Sequence, residues 1–186
     1  METTAATAPA FERDDIILVD TDDVPTGVGA KTDVHRRGLR HRAISILIRN
    51  PGGELLIQRR SATKYHSGGL WANACCSHPR PGESPLAAAH RRLPEEMGFD
   101  CPLTPLFKTH YRAALDNGFI EDEVVHAFGG AYDGAVRPVP AEVSEWRWIS
   151  FDALRGDVAA RPDAYAVWFR HYLAAEAEAI ATWLNT

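Results

Sequence analysis

One stretch of the chain decides the fold: residues 77–99 read SHPRPGESPLAAAHRRLPEEMGF. Ser84 followed by Pro85 is the order expected at a helix N-terminus, because serine caps the first turn and proline needs no amide hydrogen bond there. The pattern predicts a helix that ends at Gly98. Its expected apolar stripe is Leu86, Ala89, Leu93 and Met97. Pro94 cannot donate to the carbonyl four residues earlier, so we expect it to kink the last turn.

Most of the other segments of the chain are predicted to be strands, with one long loop and one closing helix. Residues 43–49 and 54–59 are β-prone and flank an Asn-Pro-Gly-Gly turn, which predicts a hairpin. Residues 61–82 are rich in glycine and proline, which predicts a long loop. Further strands are expected near 107–114, 123–129 and 145–150. One closing helix is expected to carry Tyr165, Trp168, Phe169, Tyr172, Leu173, Ile180, Trp183 and Leu184. Strands mixed with few helices favour an α+β fold, an αβα sandwich around a mixed sheet.

Size and composition exclude several classes of protein. A chain of 186 residues with 45% apolar positions can bury one core, so we expect a single domain at 13–186 after a disordered or tag-like tail at 1–12. A net charge of −5 argues against general binding to nucleic acids or membrane surfaces. The three cysteines form an odd set that is typical of a reducing compartment, so a cytoplasmic protein is expected.

The decisive stretch resembles the Nudix signature, in which spaced glutamates lie on a helix. The positions that match its spacing are Glu83, Arg91, Leu93, Glu95, Glu96, Gly98 and Phe99. Such carboxylates can hold a hard divalent cation that binds diphosphate oxygens, although an acidic helix face can also be merely solvated. Ser77 stands where glycine is usual, and Arg92 stands where a glutamate is usual. The lost glutamate weakens the case for pyrophosphate hydrolysis.

Neighbouring segments carry a more specific resemblance. Residues 71–84, WANACCSHPRPGES, look like the active-site segment of the type I isopentenyl-diphosphate isomerases, with Cys76 and His78 in its Cys-x-His-Pro element. Residues 118–128, GFIEDEVVHAF, resemble the second element of that family, a Glu-x-Glu pair whose side chains share one face of a strand. Further positions match the basic-histidine segment, the substrate-binding stretch and the active-site aromatics of that family. They are Lys31, His35, His41, Arg60, Lys64, Tyr111 and Trp168.

The resemblance implies a Nudix-type αβα sandwich and a double-bond isomerase of isoprenoid biosynthesis. Such an enzyme converts isopentenyl diphosphate into dimethylallyl diphosphate by protonation and deprotonation through a tertiary carbocation. Cys76 and Glu123 would be its acid–base pair, assisted by Tyr111 and Trp168, although Trp168 could instead be core packing. The implied partner is this small molecule alone, with neither nucleic acid nor membrane, and the chain is expected to be a monomer or a weak dimer.

Two metal sites are also implied by the resemblance. The first would take Mg²⁺, Mn²⁺ or Zn²⁺, since mixed imidazole and carboxylate ligands suit all three. Its ligands would be His35, His41, His78, Glu121 and Glu123. In the second, Glu96 and the Cys76 carbonyl would hold a Mg²⁺ that bridges the diphosphate. The diphosphate would be neutralised by Lys31, Arg60, Lys64 and Arg92. The remaining histidines are expected to be ordinary hydrogen-bonded residues: His66, His90, His110, His126 and His171.

Two other functions remain open from the sequence. One is a Nudix hydrolase that cleaves a nucleoside diphosphate derivative, and the other is a metal-binding regulatory protein with an inactive Nudix fold. Incubation with isopentenyl diphosphate and Mg²⁺ separates them. Phosphate release favours the hydrolase, inertness favours the regulator, and dimethylallyl diphosphate without phosphate release favours the isomerase.

Overall fold

The computed structural model describes residues 14–186, so the tail predicted at 1–12 lies outside the described residues. The strands are β1 (Asp15–Val19), β2 (Pro25–Ala30), β3 (His41–Arg49), β4 (Leu55–Arg60), β5 (Trp71–Asn73), β6 (Cys75–Ser77), β7 (Leu103–Ala114), β8 (Ile120–Ala131) and β9 (Val143–Ile149). The helices are α1 (Lys31–Arg37), α2 (Pro85–Met97), α3 (Phe151–Ala160), α4 (Val167–Ala175) and α5 (Ala177–Leu184). None of the helices described in 14–186 is long and apolar enough to cross a membrane.

The sheet is mixed and centres on β3. Strands β3 and β8 run parallel from the pair His41–Glu123 to the pair Arg49–Ala131. All other strand pairs in the described chain are antiparallel, including β7 with β8, β6 with β3 and β9 with β4. The parallel pairing of β3 with β8 therefore places the start of β3 beside the Glu-x-Glu segment of β8.

Helices cover both faces of this sheet, as the predicted αβα sandwich requires. Alternate residues of β3 point to opposite faces, so Ile44 and Ile46 pack under α2 with Leu93. On the other face, Leu47 packs with Tyr172 of α4 and with the remaining C-terminal helices. Each of these buried side chains contributes about 1.5–3 kcal/mol to folding. The α+β sandwich predicted from the sequence is confirmed.

Helix α2 is confirmed between its predicted ends. The Ser84 hydroxyl accepts the Ala87 amide, and Gly98 ends the helix at φ 77°. A Cβ at Gly98 would lie 2.2 Å from the Arg137 carbonyl oxygen, so only glycine fits there. Leu86 departs from the predicted stripe because it is 39% exposed. The helix continues past Pro94 to Met97.

The predicted hairpin is confirmed but short, and the predicted loop is wrong. Strands β3 and β4 share only the pair Arg49–Leu55, because β4 then pairs with β5 and β9 instead. The segment 61–82 is not a continuous loop, since it contains β5 and β6. Pairing of β6 with β3 sets Cys76 opposite Ser45.

The prediction of a single closing helix is also wrong. The segment is divided into α4 and α5 at Glu176, whose φ of −114° and ψ of 18° leave the helical range, and Tyr165 precedes α4. Arg49 donates to the carbonyls of Trp183 and Leu184, at 2.9 and 3.0 Å, and so holds the end of α5 against the sheet. Both helices pack against the same core, so the helical spacing of apolar residues continues across the break and does not reveal it.

Candidate active site and metal centre

Four elements bring imidazoles and carboxylates to one end of the sheet. Strand β8 presents Glu121 and Glu123 on the same face because they are two residues apart. His41 opens β3 directly opposite Glu123. His35 comes from α1, and His78 follows β6. The resulting cluster joins residues that are far apart in the chain.

The distances within this cluster suit a cation. His35 Nε2 lies 3.2 Å from Glu121 Oε2, and His78 Nε2 lies 3.0 Å from Glu123 Oε1. His41 Nε2 lies 3.4 Å from the same Glu123 oxygen. The potential ligand atoms of His35, His41, His78 and Glu123 all lie within 4.8 Å of one another. This group can therefore surround one divalent ion.

Hydrogen bonding leaves the right atoms free for a metal. His35 Nδ1 is 2.6 Å from the Lys31 carbonyl, and His41 Nδ1 is 2.8 Å from the Leu39 carbonyl, so each ring donates through Nδ1. Each Nε2 then carries a lone pair. Among the described residues, both Nε2 atoms and Glu121 Oε2 are buried without a hydrogen-bond partner. Buried polar atoms rarely stay unpaired, so this donor set fits a bound cation.

A tight turn brings the two imidazoles together. Gly38 ends α1 at φ 60°, and a Cβ there would lie 2.9 Å from the Ile120 side chain. Glycine is therefore required for the chain to reverse between His35 and His41. The two rings end with centroids 4.7 Å apart.

The two carboxylates differ in their electrostatic environment. Burial raises the pKa of Glu121, and the nearby Glu123 charge raises it further. Burial also opposes ionisation of Glu123, but the facing imidazoles of His41 and His78 outweigh it and hold the pKa of Glu123 well below its ordinary value. Burial keeps the pKa of His78 well below its usual range, so its ring is neutral near pH 7. Neutral imidazole beside an ionised carboxylate is the ligand state that a metal requires.

Cys76 lies on β6 beside the cluster. Its thiol donates to Asn73 Oδ1 at 3.1 Å and lies 3.4 Å from Ser45 Oγ. Burial raises the pKa of Cys76 to about 12, although both hydrogen bonds oppose that shift. The thiol therefore keeps its proton at neutral pH. The side-chain amide of Asn73 also donates to the carbonyls of Ile46 and Cys75. These hydrogen bonds hold the amide in place, so that its oxygen orients the thiol.

Two aromatic residues border the same pocket. Tyr111 donates from its hydroxyl to Glu123 Oε2 at 2.7 Å. Trp168 is 3% exposed and belongs to the apolar core, yet it also lines the pocket. The Arg60 guanidinium lies 5.1 Å from the centroid of its ring. Trp168 therefore lies both in the core and at the pocket, the two positions that the sequence left as alternatives.

Four basic residues, which form the basic wall, also line this pocket: Lys31, Arg60, Lys64 and Arg92. Lys31 lies 4.8 Å from the Tyr65 ring centroid, and burial together with nearby Lys64 lowers the pKa of Lys31. Lys64 forms a short ion pair with Glu142. Arg92 Nη2 lies 2.6 Å from Glu96 Oε1 and 3.5 Å from Glu142 Oε1. The Glu96 carboxylate, expected to hold Mg²⁺, is thus paired with an arginine on its own helix.

Comparison with known proteins identifies the family. A model of the NUDIX domain matches residues 39–171. An isopentenyl-diphosphate Delta-isomerase of Burkholderia multivorans is 51% identical over 154 residues, which cover 83% of this chain and 88% of that protein. One from Pectobacterium atrosepticum is 48% identical over 156 residues, 84% of this chain and 87% of the relative.

The chain belongs to the isopentenyl-diphosphate Delta-isomerase family, within the Nudix superfamily. Solved structures agree at the level of the fold. A crystal structure of a Deinococcus radiodurans protein gives a TM-score of 0.67 at 21% identity, over 78% of this chain and 89% of that one. A Nudix hydrolase from M. smegmatis gives 0.54 at 25% identity, over 76% and 84%.

The fold of this isomerase family member brings the residues selected from the sequence into one place. One pocket is lined by Lys31, Arg60, Lys64, Cys76, His78, Arg92, Glu96, Tyr111, Glu121, Glu123 and Trp168. The remaining two, His35 and His41, are fully buried against its Glu121–Glu123 wall. Cys75, which directly precedes Cys76, is buried and is absent from the pocket lining.

Sequence reasoning missed two residues of this site. Asn73 orients the thiol, and its position three residues before Cys76 was a signal that could have found it. His66 was expected to be ordinary, but its Nε2 lies 3.4 Å from Glu121 Oε1. It stands two residues after Lys64, inside a segment already selected for substrate binding, and that position was the available signal.

Proposed function

We propose that this chain isomerises isopentenyl diphosphate to dimethylallyl diphosphate, a step of isoprenoid biosynthesis. One observation carries the proposal: the Cys76 thiol and the Glu123 carboxylate line a single pocket, which is also lined by basic residues and by side chains of the potential metal centre. Family membership favours the same reaction. A Nudix hydrolase gives no reason for this thiol, and Arg92 replaces one glutamate that such an enzyme uses.

The substrate chemistry explains what the pocket must supply. An unactivated alkene is a very weak base, and its protonated form is a tertiary carbocation that water captures. An acid, a base and a site shielded from water are therefore needed. Cys76 is partly buried and Glu123 is 7% exposed, so both groups act away from bulk solvent.

Cys76 and Glu123 are proposed as the acid–base pair. The resting states favoured by their surroundings are a neutral thiol and an ionised carboxylate. In this scheme the thiol donates its proton to the terminal alkene carbon, which leaves a tertiary carbocation. Glu123 removes a proton from the adjacent allylic carbon, so the double bond moves and the substrate loses no atom. The proton on Glu123 must then return to the Cys76 thiolate before the next turnover. The roles exchange in the reverse reaction, and Tyr111 can relay the proton on Glu123.

Trp168 is proposed to stabilise the carbocation. Its ring already accommodates the Arg60 guanidinium at 5.1 Å, so the indole face can hold a positive charge. Such an interaction contributes about 2 kcal/mol when the cation is desolvated. The His66 ring packs perpendicular to the indole, with centroids 5.9 Å apart.

Charged residues are proposed to hold the diphosphate and its ions. Lys31, Arg60, Lys64 and Arg92 provide the basic wall. Glu96 is proposed to bind Mg²⁺ with the Cys76 carbonyl, which requires Arg92 to release Glu96 and turn to the diphosphate. The His/Glu centre is proposed to take Mg²⁺, Mn²⁺ or Zn²⁺ through His35, His41, His78, Glu121 and Glu123. Bound divalent ions supply positive charge that holds the diphosphate and keeps ligand carboxylates ionised.

The test follows both products and phosphate. The protein is incubated with carbon-13-labelled isopentenyl diphosphate and Mg²⁺, and the products are followed by NMR. Dimethylallyl diphosphate with no phosphate release supports the proposal. Phosphate release points to the hydrolase, and an inert, metal-loaded protein points to the regulatory alternative; either result overturns it.

A further inference from the structure

His66 lies where a further ligand of the metal centre would be. It follows β4 in the loop before β5, and its residue is 8% exposed. Its Nε2 points at Glu121 Oε1 from 3.4 Å, while His35 Nε2 approaches Oε2 of the same carboxylate at 3.2 Å. The carboxylate of Glu121 is therefore held between two imidazoles.

These distances match the spacing of ligands around one ion. With bonds of about 2.1 Å, neighbouring ligand atoms on an octahedral cation lie about 3 Å apart and opposite ones about 4.2 Å apart. The potential ligand atoms of His35, His66 and Glu121 all lie within 4.8 Å of one another. His35 is shared with the group that contains His41, His78 and Glu123. We propose that His66 ligates, through Nε2, the same cation that His35 and Glu121 hold, and so fills the sixth position of the centre.

Several contacts fix the His66 ring in this orientation. Nδ1 lies 3.2 Å from Ser67 Oγ, and the ring packs against Tyr65 with centroids 4.3 Å apart. Asn117 donates to the Tyr65 carbonyl at 2.7 Å, which attaches this loop to the segment before β8. Ser67 adopts φ 51°, a conformation that costs a non-glycine residue about 1 kcal/mol or more. The loop is therefore held in a conformation that the local sequence would not choose.

The hydrogen bonding of the His66 ring suits this role. Its Nδ1 lies 3.2 Å from Ser67 Oγ, a hydroxyl that can accept a hydrogen bond from the ring. A neutral ring whose Nδ1 donates to Ser67 presents a lone pair at Nε2. An imidazole that only hydrogen-bonded to Glu121 would place a proton there instead.

The experiment measures metal binding directly, because the inference rests on the metal centre of the proposed function. His66→Ala and the volume-conserving His66→Gln are compared with wild type, and His90→Ala is the control because His90 pairs with Asp100 outside the pocket. Affinities for Co²⁺ and Mn²⁺ are measured by chelator competition, and the visible spectrum of the Co²⁺ form reports the ligand set. Thermal unfolding of the metal-free proteins monitors the fold.

We expect both His66 variants to bind metal at least about tenfold more weakly and to change the Co²⁺ spectrum, with His90→Ala unchanged. Wild-type affinity and spectrum in a folded His66→Gln protein would overturn the assignment, as would a wild-type chain that binds no metal. A wild-type chain that binds metal but does not isomerise overturns the proposed function alone. The two failures are therefore distinguishable.

Discussion

Tyr111 and Glu123 are joined by a direct hydrogen bond between a phenol and a carboxylate in the pocket. The Tyr111 hydroxyl donates to Oε2 at 2.7 Å, whereas Oε1 faces His41 and His78 at 3.4 and 3.0 Å. The two oxygens of Glu123 thus serve different partners. One faces the potential metal centre, and the other faces a group that can carry a proton.

Tyr111→Phe should lower kcat by about 10²-fold or more, because it removes only the hydroxyl that relays a proton. KM should change little, since the ring stays in place. Steady-state kinetics with isopentenyl diphosphate measures both. Tyr165→Phe is the matched control, because that hydroxyl binds Asp157, 2.7 Å away and outside the pocket. Equal kcat in both variants would exclude the relay.

Cys76→Ala should lose several orders of magnitude of isomerisation while the fold survives, because the thiol is the proposed acid. Cys75→Ala should stay active, since that neighbour is absent from the pocket lining. Product formation by NMR and circular dichroism of both variants test this pair. An active Cys76→Ala enzyme would remove the acid–base assignment.

His35→Ala should lower the metal content of freshly purified protein. The reason is that His35 is fully buried with an unpaired Nε2 facing Glu121. Elemental analysis of wild type and variant measures the loss, and His90→Ala again serves as the control. Unchanged metal content in His35→Ala would show that the ion binds elsewhere.

Asp23 gives a prediction about stability rather than activity. Burial alone would raise its pKa, but hydrogen bonds from Lys108, Arg42 and His126 outweigh burial and lower the pKa below its ordinary value. A carboxyl with a lowered pKa stabilises the fold above its unfolded-state pKa of about 3.9, and that contribution is lost as the pH falls through the folded-state pKa. The ion pairs are therefore most stabilising near neutral pH.

Asp23→Asn should lower the free energy of unfolding by about 1 kcal/mol at pH 7, a modest value because solvent screens the charges. Asparagine tolerates the positive φ of 66° at this position, so the comparison isolates the charge. Urea unfolding at pH 7 and pH 3 measures the effect. The difference from wild type should shrink at pH 3, and a constant difference would contradict the linkage.

The sequence by itself determined the parts of this protein that depend on local spacing. Ser84 and Gly98 fixed both ends of α2, and the alternation of side chains along a strand placed Glu121 and Glu123 on one face. The family motifs also selected Cys76 and His78. Periods of two and 3.6 residues follow from backbone geometry, so they can be read directly from the order of residues.

Tertiary structure alone decided the rest. The register between β3 and β8 brings His41 beside Glu123, and a strained loop carries His66 to Glu121, 55 positions away in the chain. The division between α4 and α5 likewise depends on the core they share. Contacts between distant segments depend on how the whole core packs, and no local periodicity encodes them.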